Sequence, residues 1–385
     1  MLDPIPPPPR WLQRWAEPMA ESLSLPTLPY HIHEIILSFA FYQFTQSVVS
    51  PWLSAHLFPS FYLNFPKRTK LNWDIHVVSL VQSTLITVLA LWVMFVDQER
   101  KSMTAGERVY GYSGACGLIQ AMATGYFVWD LIISTRYINL FGVGMWFHAA
   151  SALWVFSLGF RPFVNYYGPT FILYELSSPF LNFHWFFDKV NMTGSRAQWY
   201  NGMMLLSVFF SCRLVWGTYH SIYVFFDIYK AFWQSRSSAL SGEPFNIHSL
   251  VFNARNTTLC SDETCIKATA EVSQFAQYST GGIPVWLVFT YLGSNFILNS
   301  LNYYWFSKMI DTVMKRFRTT KVDSKTVKKE AELIVLEAAA TLEEEESVFI
   351  TGAMNGSMST DESKLQPSTQ SGQMNNKASV RRRKA

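Results

Sequence analysis

Charge is scarce in this sequence. Asp, Glu, Lys and Arg make up 15% of 385 residues, where a soluble domain carries about 25%. That shortfall argues against the pair of soluble domains the length alone would suggest. Cysteine is also scarce: four residues are too few for a disulfide framework. Cys116 and Cys212 fall inside apolar runs and read as core, whereas Cys260 and Cys265 share a polar loop and can pair in an oxidising compartment. The formal charge is only +4, and Lys and Arg sit at the ends of apolar runs and in the tail, so no nucleic-acid surface is expected. No Gly-rich phosphate loop, serine-hydrolase elbow or zinc-spaced His/Cys cluster is present, and neither cofactor nor metal is expected. His31 and His33 are two apart, face different directions on a helix and make a poor metal pair. No basic n-region runs directly into an apolar h-region, so no cleaved signal peptide is expected. The first 30 residues read as a polar, Pro-rich segment opened by Pro6 to Pro9.

What is abundant is apolar sequence. Hydrophobic residues make up 49% and aromatics 16%. The mean hydropathy of +0.10 averages an apolar body with a polar tail that starts near Lys321. Crossing the hydrocarbon core takes about 20 residues of helix. Seven segments qualify, approximately 32–50, 75–96, 112–133, 139–160, 163–187, 198–227 and 283–307. The expected fold is therefore all-α, a multi-pass membrane protein with about seven transmembrane helices. The third and fourth spans meet at a tight turn near Arg136, and Pro169 and Pro179 should kink the fifth. Residues 31–64 hold the first span and a linker.

The basic cluster after the last span, Lys308, Lys315, Arg316, Arg318 and Lys321, favours a cytosolic C-terminus. That orientation makes 228–282 lumenal, which suits the Cys260/Cys265 pair and the Asn256-Thr257-Thr258 glycosylation sequon. Residues 311–385 form a cytosolic tail. Its 325–346 portion reads as a soluble helix, and 351–385 has a disordered composition. The terminal Arg381-Arg382-Arg383-Lys384 reads first as a solvated or membrane-surface segment and second as a dibasic retrieval signal.

An ionisable side chain within a span costs a few kcal/mol and needs a partner or a cavity. Asp130, His148, Glu175, His184, Arg213 and His220 are such residues. Glu175 is a natural counter-ion for Arg213 or His148. Arg213 and His220 are seven apart and share a helix face. Tyr291, Asn295, Asn299 and Asn302 recur at helical spacing on the last span, on a face that should point into the bundle. The site residues expected to face a cavity and bind ligand are Asp130, Arg213, His220, Asn295, Asn299 and Asn302. His148 is the candidate general base, with Glu175 orienting it. Each has a bland alternative as a packing or interfacial residue.

Several segments, in order, resemble the TLC (Tram/Lag/CLN) domain. They are Lys70-Leu71-Asn72-Trp73-Asp74-Ile75-His76, Gly125-Tyr126-Phe127-Val128-Trp129-Asp130, Glu175-Leu176-Ser177-Ser178-Pro179-Phe180-Leu181-Asn182, Phe209-Phe210-Ser211-Cys212-Arg213 and Leu301-Asn302-Tyr303-Tyr304-Trp305-Phe306. The resemblance covers about 65–310. It implies an endoplasmic reticulum membrane protein, with six spans forming a helical barrel around a lipid-accessible cavity and one further span ahead of it. It also implies work on lipids. The ceramide synthase branch carries a His-His pair and a His-Asp-x-x-Asp segment; here the corresponding positions read Phe147-His148 and Tyr174-Glu175-Leu176-Ser177-Ser178. The resemblance is therefore to the non-synthase branch, linked to membrane lipid composition.

Three functions follow as expectations. The first is lipid homeostasis, through a membrane lipid bound in the bundle. The second is an acyltransferase in which His148 takes the proton of an amine or hydroxyl, with acyl-CoA and a sphingoid base as partners. The third is a cargo receptor or scaffold. Whether the chain is an enzyme is left open.

Overall fold

A computed structural model describes residues 1–241, 263–279 and 282–319. The side chains of a few helical positions, His148 among them, lie outside that description. Among the described residues every regular element is helical and no strand occurs. The chain opens with α1 (Arg10–Leu23) and α2 (Leu28–Phe44), and α2 continues through a π-turn at Thr45–Val49 into α3 (Ser50–Leu57). A single turn, α4 (Pro59–Tyr62), leads to the long α5 (Lys67–Val96). Two short helices, α6 (Gln98–Lys101) and α7 (Ala105–Tyr110), precede the antiparallel neighbours α8 (Gly114–Arg136) and α9 (Ile138–Ser157). Then come α10 (Gly168–Ile172), α11 (Ser178–Lys189), α12 (Arg196–Phe209) and α13 (Gly217–Ser241), followed by α14 (Glu263–Val272) and α15 (Val285–Thr319).

Three helical stretches among the described residues are long and apolar enough to cross a membrane: Lys67–Val96, Ala105–Arg136 and Arg196–Ser237. They cover the second, third and sixth expected spans. The turn near Arg136 is a single residue, Tyr137, between α8 and α9. The fourth expected span falls on α9, which bends at Gly142, where φ is +82°. The fifth, 163–187, is not one helix but a staircase: 3₁₀ turns at Asn165–Tyr167 and Leu173–Ser177 alternate with α10 and α11. Pro169 and Pro179 stand in the first turns of α10 and α11. Without an N–H, proline is tolerated there but not deeper in a helix, so each one starts a new segment. The broken backbone faces protein, which supplies its missing hydrogen bonds.

The N-terminal segment is more ordered than its prolines suggest. α1 runs 14 residues, ending at Ser24 in the left-handed conformation. Ala16 and Ala20 are buried on its side facing α2, while Trp11, Trp15, Met19 and Leu23 line the outer side at spacings of four.

The most extensive helix pairing among the described residues joins α2 to α8. Gly117, Ala121 and Gly125 recur every fourth residue and are all buried, forming the small-residue ridge that lets membrane helices approach. A Cβ added at Gly125 would meet the Ile35 carbonyl oxygen at 2.6 Å, and one at Gly117 would strike the His31 ring. Across this seam Ser38 Oγ donates to the Met122 carbonyl at 2.8 Å. A partly buried ion pair ties α7 to α13: Arg108 grips Asp227 through Nε at 2.6 Å and Nη2 at 2.8 Å, and the Tyr167 hydroxyl donates to the same carboxylate at 2.6 Å.

One end of the bundle gathers the chain start, the α5–α8 connections and α14. Tyr112 N–H donates to the Val272 carbonyl, and Gly114 N–H donates to Glu271 at 3.1 Å. The Met1 ammonium lies 3.0 Å from Asp97 and 3.3 Å from Glu99. Burial alone would raise the Asp97 pKa, but the Met1 ammonium and the Arg100 N–H hold it below its ordinary value. Burial pushes Glu271 up to about 7, against the lowering effect of the Gly114 N–H.

Candidate functional site

The staircase between α10 and α11 leaves backbone carbonyls free of helical partners, and the polar side chains of the domain collect around them. Arg213 lies near the middle of the Arg196–Ser237 stretch, inside a π-turn at Phe210–Trp216. A π-turn adds a residue to the helical repeat and is frequent at functional sites. The Arg213 Nε donates to the Tyr174 carbonyl and to Ser177 Oγ, both at 3.1 Å, and Nη1 reaches Asn302 Oδ1 at 3.4 Å. The guanidinium lies over the Phe209 ring at 5.0 Å.

The expected ion pair with Glu175 is not formed. All three bonds of Arg213 go to neutral acceptors, and among the described residues no carboxylate lies at ion-pair distance from it. The reason is local. Glu175 sits in the 3₁₀ turn Leu173–Ser177, whose tighter winding presents the Tyr174 carbonyl and Ser177 hydroxyl to Arg213. Glu175 is half-buried and, with Asp130, lies near enough to Tyr126 to act on it electrostatically.

The amide face of α15 completes the layer. Asn299 Nδ2 donates to Ser221 Oγ at 2.8 Å and to Asn295 Oδ1 at 3.1 Å, while the Tyr174 hydroxyl reaches Asn299 Oδ1 at 3.5 Å. Asn302 is fully buried, and its Nδ2 has no hydrogen-bond partner among the described residues. Tyr174 also fixes the helix approach, because its ring lies where a Cβ on Gly217 would stand. His220 packs on the Trp216 ring at 4.1 Å, and the Trp216 indole N–H donates to the Thr170 carbonyl at 3.0 Å. So Arg213, Asn295, Asn299 and Asn302 come together in one network, and His220 stands two turns from Arg213 on the same helical stretch. Asp130 belongs to the Tyr126 side. His148 lies on α9, with its side chain outside the described residues, so its relation to Glu175 is not described. Cys260, Asn256 and the tail beyond 319 also lie outside the described residues.

A further group escaped the sequence reading. His76 on α5 hydrogen-bonds Asn182 Oδ1 at 2.8 Å and stacks on Trp185 at 4.0 Å. Asn182 Nδ2 in turn donates to Ser79 Oγ at 3.1 Å. His76 stands at the edge of its span, where an imidazole reads as interfacial. Tyr174 and Ser177 stand in the family-like segment at 174–182, whereas Ser221 carries no charge and gives no signal in the sequence. Chemically, the layer offers one guanidinium, several amides and hydroxyls and one nearby carboxylate, that of Glu175. It is equipped to orient a polar or anionic group among apolar walls.

Comparison with known proteins fits this picture. The family described as TLC domain matches residues 72–311. An uncharacterized TLC domain-containing protein of Schizosaccharomyces pombe is 36% identical over 306 residues, covering 79% of this chain and 86% of that protein. Topoisomerase I damage affected protein 4 of Saccharomyces cerevisiae is 32% identical over 206 residues, covering 52% and 72%. TLC domain-containing protein 4 of Homo sapiens is 31% identical over 196 residues, covering 49% and 72%. No solved structure matches. The matched region takes in α5, the α10–α11 staircase, the π-turn and the amide face of α15. With all of these inside it, this chain is a membrane protein of the TLC domain family, on the side of the TLC domain-containing proteins rather than the ceramide synthases.

Proposed function

We propose that the protein binds a membrane lipid inside its helical domain and acts in lipid homeostasis of the endoplasmic reticulum, with Arg213 holding an anionic group of that lipid. The observation that carries this reading is a half-buried guanidinium, mid-helix, bonded only to neutral acceptors. A charge in such a place is costly unless it meets a partner. Its Nη2 makes no hydrogen bond to a described residue. A phosphate or carboxylate oxygen at that corner would supply a charge-assisted hydrogen bond, and the planar guanidinium suits bidentate recognition of either group. The unpartnered Asn302 amide beside it offers a second donor. Phe147 and Tyr174 stand where the synthase branch places imidazoles, which favours binding over acyl transfer.

The test is lipidomics of cells lacking the protein and of cells re-expressing wild type or Arg213→Gln at matched abundance. Deletion should shift the lipid profile, and wild type should restore it while Arg213→Gln does not. Full restoration by Arg213→Gln, or no shift on deletion, would defeat the reading.

A further inference from the structure

At the end of the bundle away from this layer, three side chains converge that the sequence sets far apart or dismisses. Asp3, His31 and Glu34 each offer a ligand atom, and these atoms lie within 4.8 Å of one another. His31 Nδ1 is 2.7 Å from Glu34 Oε2 and 3.4 Å from Asp3 Oδ2. Two ligands about 2.1 Å from one tetrahedral ion stand ~3.4 Å apart. His31 is 1% exposed and Glu34 is 2% exposed. The geometry of α2 explains the convergence. At 100° per residue, Glu34 lies 60° from His31 and 100° from His33 around the helix. Its carboxylate therefore stands between two imidazoles that do not face each other. Oε1 lies 3.8 Å from His33 Nε2 and has no hydrogen-bond partner among the described residues.

We propose that Asp3, His31 and Glu34 bind a divalent transition-metal ion, with His31 Nδ1 and one oxygen from each carboxylate as ligands. Three features support it. The far side of the His31 ring is held: Nε2 meets the Tyr112 hydroxyl. A ligating histidine commonly donates its other N–H to an oxygen, which fixes the tautomer and turns the bare nitrogen to the metal. Nδ1 faces the two carboxylates and shares a hydrogen bond with Glu34 Oε2 at 2.7 Å, and an ion bound there would take the place of the shared proton. The Met1 ammonium is engaged by Asp97 and Glu99. The orphaned Glu34 oxygen, in a side chain with 0% exposure, is the second sign of a missing partner. An imidazole with two carboxylates suits zinc or manganese over magnesium or calcium, which prefer all-oxygen sites. Gly117 is what makes room, since any Cβ there would strike the His31 ring.

The proposal is independent of the lipid reading, and so is its test. Full-length protein is purified in detergent without a polyhistidine tag or chelator, and its metals are counted by inductively coupled plasma mass spectrometry. Chelator-stripped protein is then titrated with Zn²⁺ against a fluorescent zinc indicator. One equivalent of zinc or manganese in the isolated protein, or one saturable zinc site after stripping, is expected. Asp3→Asn and Glu34→Gln should each weaken zinc binding by at least about 100-fold, and Tyr112→Phe by about 10-fold, the scale of losing an outer partner. Asp3 is on the partly exposed terminal segment, so Asp3→Asn should leave the fold intact and keeps the test decisive if Glu34→Gln does not express. Wild-type protein that takes up no metal would overturn the proposal and make the cluster a proton-sharing carboxyl pair. Binding undiminished in Asp3→Asn would overturn it equally.

Discussion

Replacing Gly125 with alanine tests the seam on which α2 is seated. The new Cβ would lie 2.6 Å from the Ile35 carbonyl oxygen, 2.7 Å from Ser38 Cβ and 2.9 Å from Ser38 Oγ. The first of these is backbone and cannot rotate away. Restoring an ordinary contact of about 3.4 Å requires α2 to retreat by 3.4 − 2.6, about 0.8 Å. The same retreat stretches the 2.8 Å bond from Ser38 to the Met122 carbonyl past hydrogen-bonding range. Overpacking costs about 1–3 kcal/mol and a lost hydrogen bond about 1 kcal/mol, so the expected loss is about 2–4 kcal/mol. Gly293→Ala is the control. Nothing lies within 4 Å of its Cβ position, on the long α15. There alanine should be neutral or gain about 0.5–1 kcal/mol of helix propensity. Thermal unfolding of both variants in one detergent reads the difference. If Gly125→Ala melts with wild type or with Gly293→Ala, the close α2–α8 approach is wrong.

Three further outcomes are expected. Asp227→Ala should destabilise the protein by about 1–3 kcal/mol, because it leaves the buried Tyr167 hydroxyl and the partly exposed Arg108 guanidinium without their shared acceptor. Asp227→Asn keeps an acceptor and should cost less, and thermal melts that rank the two in reverse would refute the clamp. An endoglycosidase-sensitive mass shift that disappears in Asn256→Gln, with a tail open to protease in intact microsomes, is expected for a lumenal 228–282 loop; a protected tail reverses the topology. Purified protein in lipid with acyl-CoA and sphingoid base should form no ceramide, and robust turnover abolished by His148→Ala would move the chain into the synthase branch.

Helical class and family were legible in the sequence because long apolar runs and the ordered TLC-like segments are local signals. The staircase was half legible. Pro169 and Pro179 announced a disturbance, but kinks in one span and a set of short helices differ only in whether neighbours satisfy the freed carbonyls. Which cation Glu175 serves is left open by the sequence, and the neutral partners of Arg213 are hidden for the same reason. A search for a counter-charge overlooks carbonyl and hydroxyl acceptors, and those were what the 3₁₀ turn at Leu173–Ser177 presented. The π-turn at Phe210–Trp216 leaves no clear mark in the sequence. α1 was there to be read: Trp11, Trp15, Met19 and Leu23 keep a four-residue period, but the surrounding prolines drew the eye away. Asp3 meeting His31 and Glu34 was beyond reach, since no local pattern links the chain start to α2.

The lipid held by the protein itself tests the central claim most directly. Wild type and Arg213→Gln would be purified side by side from the same membranes, with retained lipids identified by native mass spectrometry. The account predicts a tightly held lipid with a phosphate or carboxylate group in wild type, and its loss from a folded Arg213→Gln. A wild-type protein that retains no anionic lipid, or a variant that retains the same one to the same extent, would contradict it.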